Sequence, residues 1–138
     1  MNSIYPAGNK QPSPLFQKLA KRCLEELATS VDGIQSVLLA SADGFEIASY
    51  IQQSSLNGGK TSAVSTSILS LIQSFTSEIH LSECKSLVLD AENGKAIITE
   101  IPHDASPKVL VVIASEQALL GHVLHGIRHC SNQLIAAH

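Results

Sequence analysis

After Ser13-Pro14, the apolar residues Leu15, Phe16, Leu19, Cys23, Leu24 and Leu27 recur every three or four positions. That period predicts a first helix, with Ser13 as its cap and Pro14 in its first turn, ending before Gly33. The run GIQSVLLA that follows is aliphatic and β-branched, SADG reads as a turn, and FEIASYI alternates between larger apolar and small or polar positions. Two strands joined in a hairpin are expected there. From Thr61 to Ile79 the residues Val64, Ile68, Leu71, Ile72, Phe75 and Ile79 fall on one stripe of a 3.6-residue period. This predicts a second helix with that stripe turned inward. CKSLVLDA and AIITEI flank Asn93-Gly94, the sequence of a tight turn, and KVLVVIA supplies a further strand. A last helix is expected from Glu116 to Ala136, capped by Ser115, with Leu119, Leu120, Val123, Leu124, Ile127 and Leu134 inside. The order is α-β-β-α-β-β-β-α, with residues 1–13, rich in Pro, Gly, Asn and Ser, as a flexible tail before a single domain at 14–138.

The short connections constrain the sheet. Strands joined by turns of a few residues are antiparallel neighbours, and a last strand inserted beside the first leaves the second and third strands as edges. The third strand carries SLVLDA, with no proline and no charge between Lys85 and Asp90. It lacks the usual protection against pairing with another edge.

Composition narrows the class. The chain has 138 residues, 44% of them hydrophobic, which is enough for a core without disulfides or metal. A net charge of −3 with no basic stripe speaks against nucleic acid. The cysteines Cys23, Cys84 and Cys130 are odd in number and form no close pair, and no run is long and apolar enough to span a membrane. The expectation is a cytoplasmic protein.

One stretch invites a catalytic reading. NGGKTS at 57–62 ends like a phosphate-binding loop, and SLVLD ending at Asp90 imitates the strand that supplies a magnesium-binding carboxylate. The first glycine of the G-x-x-x-x-G-K-[ST] pattern would fall at position 54, which is Ser54. Turns of a few residues also exclude the parallel sheet of such enzymes. The stretch is expected to be an ordinary loop, Gly58 and Gly59, leading into the second helix.

That helix has its own peculiarity, for no charged residue lies between Lys60 and Glu78. Opposite the apolar stripe stand Ala63, Thr66, Ser67, Ser70, Gln73, Ser74 and Ser77. A face bathed in water usually carries Lys and Glu, whereas small side chains admit a second surface close to the backbone. These residues, with Lys85, Ser86 and Val88 on the exposed edge strand, are the expected dimer or partner interface. A symmetric homodimer would use both.

Taken together, VDGIQSVLLASADGFEIAS, the small-residue second helix, SLVLDAENGKAIITEI and ALLGHVLHGIRHCSNQL resemble the Roadblock/dynein-light-chain family, in particular its bacterial branch of regulators of Ras-like polarity GTPases. The resemblance covers residues 15–136. It implies a Roadblock/profilin-like α/β sandwich whose five-stranded, mainly antiparallel sheet has helix two on one face and the first and last helices on the other. It further implies dimerisation through strand three and helix two, with the paired second helices facing a small Ras-like GTPase. Some members accelerate hydrolysis by reshaping the GTPase's own site, and others only scaffold. Arg22 and Arg128, the only arginines, fall on the helices expected to lie away from helix two, so neither is placed as an arginine finger.

The remaining polar groupings read as ordinary surface. His122, His125 and His129 share one face of the last helix at metal-chelating spacing, but nothing in the sequence supplies groups to orient them. His103-Asp104 lies in a turn with no nucleophile tied to it. The sequence therefore predicts a non-enzymatic homodimeric module without cofactor or metal, binding and regulating a small Ras-like GTPase. The alternatives are a light-chain scaffold subunit of a larger complex and, less favoured, a small nucleotide-binding enzyme.

Overall fold

The computed structural model describes residues 12–52, 56–102 and 106–137. The expected tail, apart from residues 12 and 13, and the His103-Asp104 pair lie outside the described residues. The elements are α1 (Pro14–Ser30), β1 (Ile34–Ser41), β2 (Glu46–Ile51), α2 (Gly58–Glu78), β3 (Ser86–Ala91), β4 (Gly94–Ile101), β5 (Lys108–Ser115) and α3 (Leu120–Ala136). They form one antiparallel sheet in the order β2-β1-β5-β4-β3, with β5 inserted beside β1 and with β2 and β3 at the edges. This is the expected order of elements and strands.

The pleat divides the interior in two. Val37 and Leu39 of β1, Leu110 and Val112 of β5, and Ile97 and Ile101 of β4 meet Ala20, Leu24 and Leu27 of α1 and Val123, Ile127, Cys130 and Leu134 of α3. Their neighbours one residue along, Leu38, Ala40, Ile98, Val109 and Val111, face the other way and meet Leu69 of α2. Strands β1 and β5 are thus buried on both faces, which explains their nearly unbroken apolar runs.

The local signals act largely as read. Ser13 Oγ accepts from the Phe16 N–H at 3.1 Å, capping α1. On the flank of α1, Lys21 Nζ donates to the Ser49 carbonyl at 2.6 Å, tying the helix to β2. Three boundaries differ from expectation. The loop between β3 and β4 is Glu92-Asn93, with Ala91 opposite Gly94. Gly94 is already in the strand, where a β-carbon would lie 2.7 Å from the Ala114 carbonyl oxygen. Helix α3 starts at Leu120, not Glu116, because Ser115 stays in the sheet, its N–H donating to Gly33 O at 2.8 Å, and so cannot cap a helix. Leu119 is consequently exposed at the cap position while Cys130 occupies the inner face. Helix α2, finally, begins at Gly58, three residues before the expected start.

Candidate functional site

Helix α2 opens where Asn57 Oδ1 accepts the Lys60 N–H at 2.9 Å. Asn57 thus caps the helix with its own side chain, at the place where a phosphate-binding loop would offer bare N–H groups. Gly58 and Gly59 belong to the helix rather than to a preceding loop, and at Gly58 the space is limited by packing. A side chain at Gly58 would collide with the Glu46 carboxylate and the Leu38 methyl group. At the same end a β-carbon on Gly44, in the β1–β2 turn, would come within 3.2 Å of the Ala63 α-carbon. The helix backbone lies close against the sheet and the hairpin. Asp90, the supposed magnesium ligand, sits on the antiparallel edge strand β3 opposite Lys95.

That closeness overturns the expected orientation of α2. The residues buried against the sheet are Ser62, Ser65, Leu69 and Thr76, not the apolar stripe. Small side chains fit a helix held this near the sheet, and larger ones are displaced to its flank. Among the hydroxyls turned to the sheet, that of Ser62 is buried without a hydrogen-bond partner, whereas two threonines of the helix bond within it. Thr66 Oγ1 donates to Ser62 O at 2.9 Å and Thr76 Oγ1 to Ile72 O at 2.7 Å. Val64, Leu71, Phe75 and Ile79 are exposed instead, Leu71 by 71% and Phe75 by 58%. The stripe is rotated from the inward direction by about 100°, one residue's step around a helix. Only Ile68, half-buried, packs against the lower cluster with Leu87.

The proposed interface residues of α2 occupy the other flank. Ala63, Ser67, Ser70, Ser74 and Ser77 are exposed, and Thr66 and Gln73 are half-buried. Thr66, Ser70 and Gln73 border a small cavity of about 120 Å³ with Pro107 and Val109, so this flank looks toward the start of β5. Gln73 also exchanges hydrogen bonds with the Cys84 backbone at 3.3 and 3.4 Å, anchoring the approach to β3. The apolar flank therefore looks toward the other end of the sheet. There Leu89, Ala91, Ala96 and Ile113 border an open hollow of about 400 Å³. No residue of α2 lines this hollow, which is a separate notch on the face of the sheet that α2 covers.

On the edge strand β3, Lys85 and Val88 are exposed and Ser86 is half-buried, its Oγ 2.9 Å from Thr99 Oγ1, and Ser86 and Val88 point to the face opposite α2. β3 pairs with β4 on one side only, and Leu89 and Leu81 add exposed apolar surface at 52% and 64%. Leu71, Phe75, Ile79, Leu81 and Leu89 were not read from the sequence as surface. For Leu71, Phe75 and Ile79 the signal was present as an apolar stripe set on a helix with no charged face opposite it, which leaves the inward direction undetermined.

The other groupings stay apart from this site. Arg22 and Arg128 are exposed on α1 and α3, across the sheet from α2. His122, His125 and His129 are exposed, with His129 Nε2 3.9 Å from Glu26 Oε1. Among the described residues, no group of three or more His, Cys, Asp or Glu side chains is placed to hold a metal. No described helix is long and apolar enough to cross a membrane.

A three-helix, five-stranded sandwich of this connectivity can be set beside known proteins. Residues 18–135 match the family described as mitogen-activated protein kinase kinase 1 interacting. The chain belongs to that family. No curated protein matches the sequence. Among solved structures, MglB of Myxococcus xanthus superposes with a TM-score of 0.80 at 17% identity, over 92% of each chain. A structure of MglB in a tetrameric arrangement gives 0.83 at 17% identity, over 97% of this chain and 96% of that one. A Roadblock/LC7 domain from Streptomyces avermitilis gives 0.74 at 14% identity, over 83% of this chain and 92% of that one. At such identities the likeness is one of fold, and the fold is the Roadblock, MglB-like sandwich that the resemblance implied.

Proposed function

We propose that this chain is a cytoplasmic, non-enzymatic homodimeric interaction module that binds a small Ras-like GTPase and regulates it, by activation or by scaffolding. The observation that carries the reading is the exposed apolar flank of α2 adjoining the unprotected edge of β3. A monomer gains nothing from leaving Leu71 and Phe75 in water, since each large apolar side chain stabilises a fold by roughly 1.5–3 kcal/mol when fully buried. Two copies related by a two-fold axis, pairing β3 with β3, would continue one sheet and bring each α2 flank over the notch of the other. In that arrangement Ser86 and Val88 lie at the seam, with Lys85 beside it. Ala63, Ser67, Ser70, Ser74 and Ser77 face outward from the paired helices, where small side chains leave the helix backbone open to the GTPase. The MglB structure in a tetrameric arrangement lends support to self-association of this fold.

Both arginines lie across the sheet from α2. Any effect on hydrolysis would therefore come from holding the GTPase's own catalytic groups, not from a donated guanidinium. A second reading, a light-chain scaffold subunit of a larger complex, is favoured by the family's description as kinase kinase 1 interacting. One experiment separates the two: light scattering on the purified chain, with capture of small GTPases loaded with GTP or GDP. A dimer that retains a Ras-like GTPase in its GTP form supports the regulator. A dimer that retains none moves the reading to the scaffold, and a monomer removes both.

A further inference from the structure

The outward flank of α2 borders the cavity of about 120 Å³ between the helix, the β1–β2 turn and the start of β5. Ala42, Leu69, Pro107 and Val109 give it apolar walls. One charged residue lines it. Strand alternation sets Glu100 with Ile98 on the face of the sheet that carries α2, opposite Val109 in the register. Among the described residues the half-buried Glu100 carboxylate has neither a hydrogen bond nor an ion pair. Lys85, one place before the first β3–β4 pair and so in line with Glu100, does not reach it. The polar groups beside Glu100 have donors committed elsewhere. Thr66 Oγ1 gives its proton to Ser62 O at 2.9 Å, and Gln73 Nε2 donates to Cys84 O at 3.4 Å while Gln73 Oε1 accepts from the Cys84 N–H at 3.3 Å. What faces the cavity is therefore richer in acceptors than in donors, with a carboxylate among them.

We propose that this cavity receives a basic side chain, lysine or arginine, from the protein that binds the α2 flank. The inference rests on the reading of that flank as a partner surface, and it names the chemistry the partner must bring. A basic side chain joins an aliphatic stem to a head that only donates. The cavity complements both parts, with apolar walls for the stem and with Glu100 and the Thr66 and Gln73 oxygens for the head. Size agrees as well. A volume of about 120 Å³ lies well below the roughly 300–1,000 Å³ of a small-molecule site, so a single side chain is the unit it can take. The frame is also fixed in advance, because the β1–β2 turn lies close against α2 at Gly44 and Ala63 and Gln73 is tied to the Cys84 backbone. A preformed wall lets a charge-assisted contact act on affinity instead of on ordering the site. A partner with an acidic side chain at this place would meet Glu100 as a like charge, so the cavity also selects.

The test is an NMR titration of the full chain, and of the full chain carrying Glu100→Gln, with the methylamides of N-acetyl-arginine, N-acetyl-lysine and the uncharged N-acetyl-norleucine. The two cationic probes should shift the Leu69 and Val109 methyl signals and the Gln73 side-chain amide, and the norleucine probe should leave them in place. Glu100→Gln should weaken the cationic probes by about tenfold, the loss of one charge-assisted contact, with signals remote from the cavity unchanged as the sign of an intact fold. Equal shifts with norleucine, equal affinity in the variant, or cationic probes that shift only other acidic groups would overturn the proposal. Capture of a GTP-loaded Ras-like GTPase by both forms is measured alongside. Capture that Glu100→Gln weakens supports the proposal, and capture that it leaves undiminished overturns the proposal while the reading of α2 stands. If neither form captures a GTPase, the reading of α2 falls, and the probe titration decides the cavity by itself.

Discussion

His80 is the one non-glycine residue with positive φ among the described residues, at 63°. It follows α2, where its N–H donates to Ser77 O at 3.1 Å while the Leu81 N–H donates to Thr76 O at 3.0 Å. This pair of bonds ends a helix through a left-handed residue, a position that glycine takes without the clash of a β-carbon. His80→Gly should therefore stabilise the domain by about 1 kcal/mol, read as a higher denaturant midpoint with unchanged slope. Cys130 offers a second residue-level expectation. Burial pushes its thiol up to about 12 from 9.0, with Cys23 and Glu26 adding to the effect. The sign follows from which state releases the proton first. Between about pH 9 and about pH 12 the unfolded chain ionises this thiol and the folded chain does not, so stability is intact below that window and declines as pH rises through it. Cys130→Ala should flatten that alkaline decline in a series of denaturation curves, even though the smaller side chain lowers stability at neutral pH.

At the scale of elements, the sequence and the structure agree wherever the direction of burial is either unique or immaterial. The α1 stripe from Phe16 to Leu27 admits a single inward direction, and β1 and β5, buried on both faces, need none. Helix α2 was not, since its sequence holds two stripes and the rule that apolar residues go inside selects the wrong one. What decides is the distance between α2 and the sheet, marked by the Gly44 backbone close against the Ala63 α-carbon, and no helical period records a tertiary distance. The start of α3 was missed for a related reason: Ser115 has the chemistry of a cap but is already engaged by Gly33. The reorientation of α2 makes a prediction that the sequence alone would have placed elsewhere. Leu71→Glu with Phe75→Glu should abolish self-association, because it sets like charges into an apolar contact, yet leave the monomer's melting temperature nearly unchanged, because both residues are already exposed. Ser70→Glu with Ser74→Glu, on the outward flank, should spare the dimer and weaken capture of the GTPase. Light scattering and capture on the two variants distinguish the flanks, and a dimer that survives the first pair would refute the apolar seam.

For the molecule as a whole, the absence of charge along α2 between Lys60 and Glu78 decides how association should respond to salt. The proposed seam consists of main-chain hydrogen bonds between β3 edges and of apolar side chains in a notch, neither of which is screened. Each copy carries a formal charge of −3, so long-range forces between copies oppose encounter rather than assist it. Raising salt from about 50 mM to about 500 mM shortens the screening length from roughly 14 Å to roughly 4 Å, which relieves that repulsion and leaves the contact itself intact. The dimer dissociation constant should therefore stay within about threefold across this range or tighten slightly, with a negative heat-capacity change marking apolar burial. Sedimentation at both salt concentrations, with calorimetric dilution at several temperatures, measures the two quantities. A dissociation constant that rises tenfold or more with salt would mean that Lys60, Glu78 or Lys85 supplies the attraction, and the seam would then have to be moved from the apolar flank to the ends of the helix.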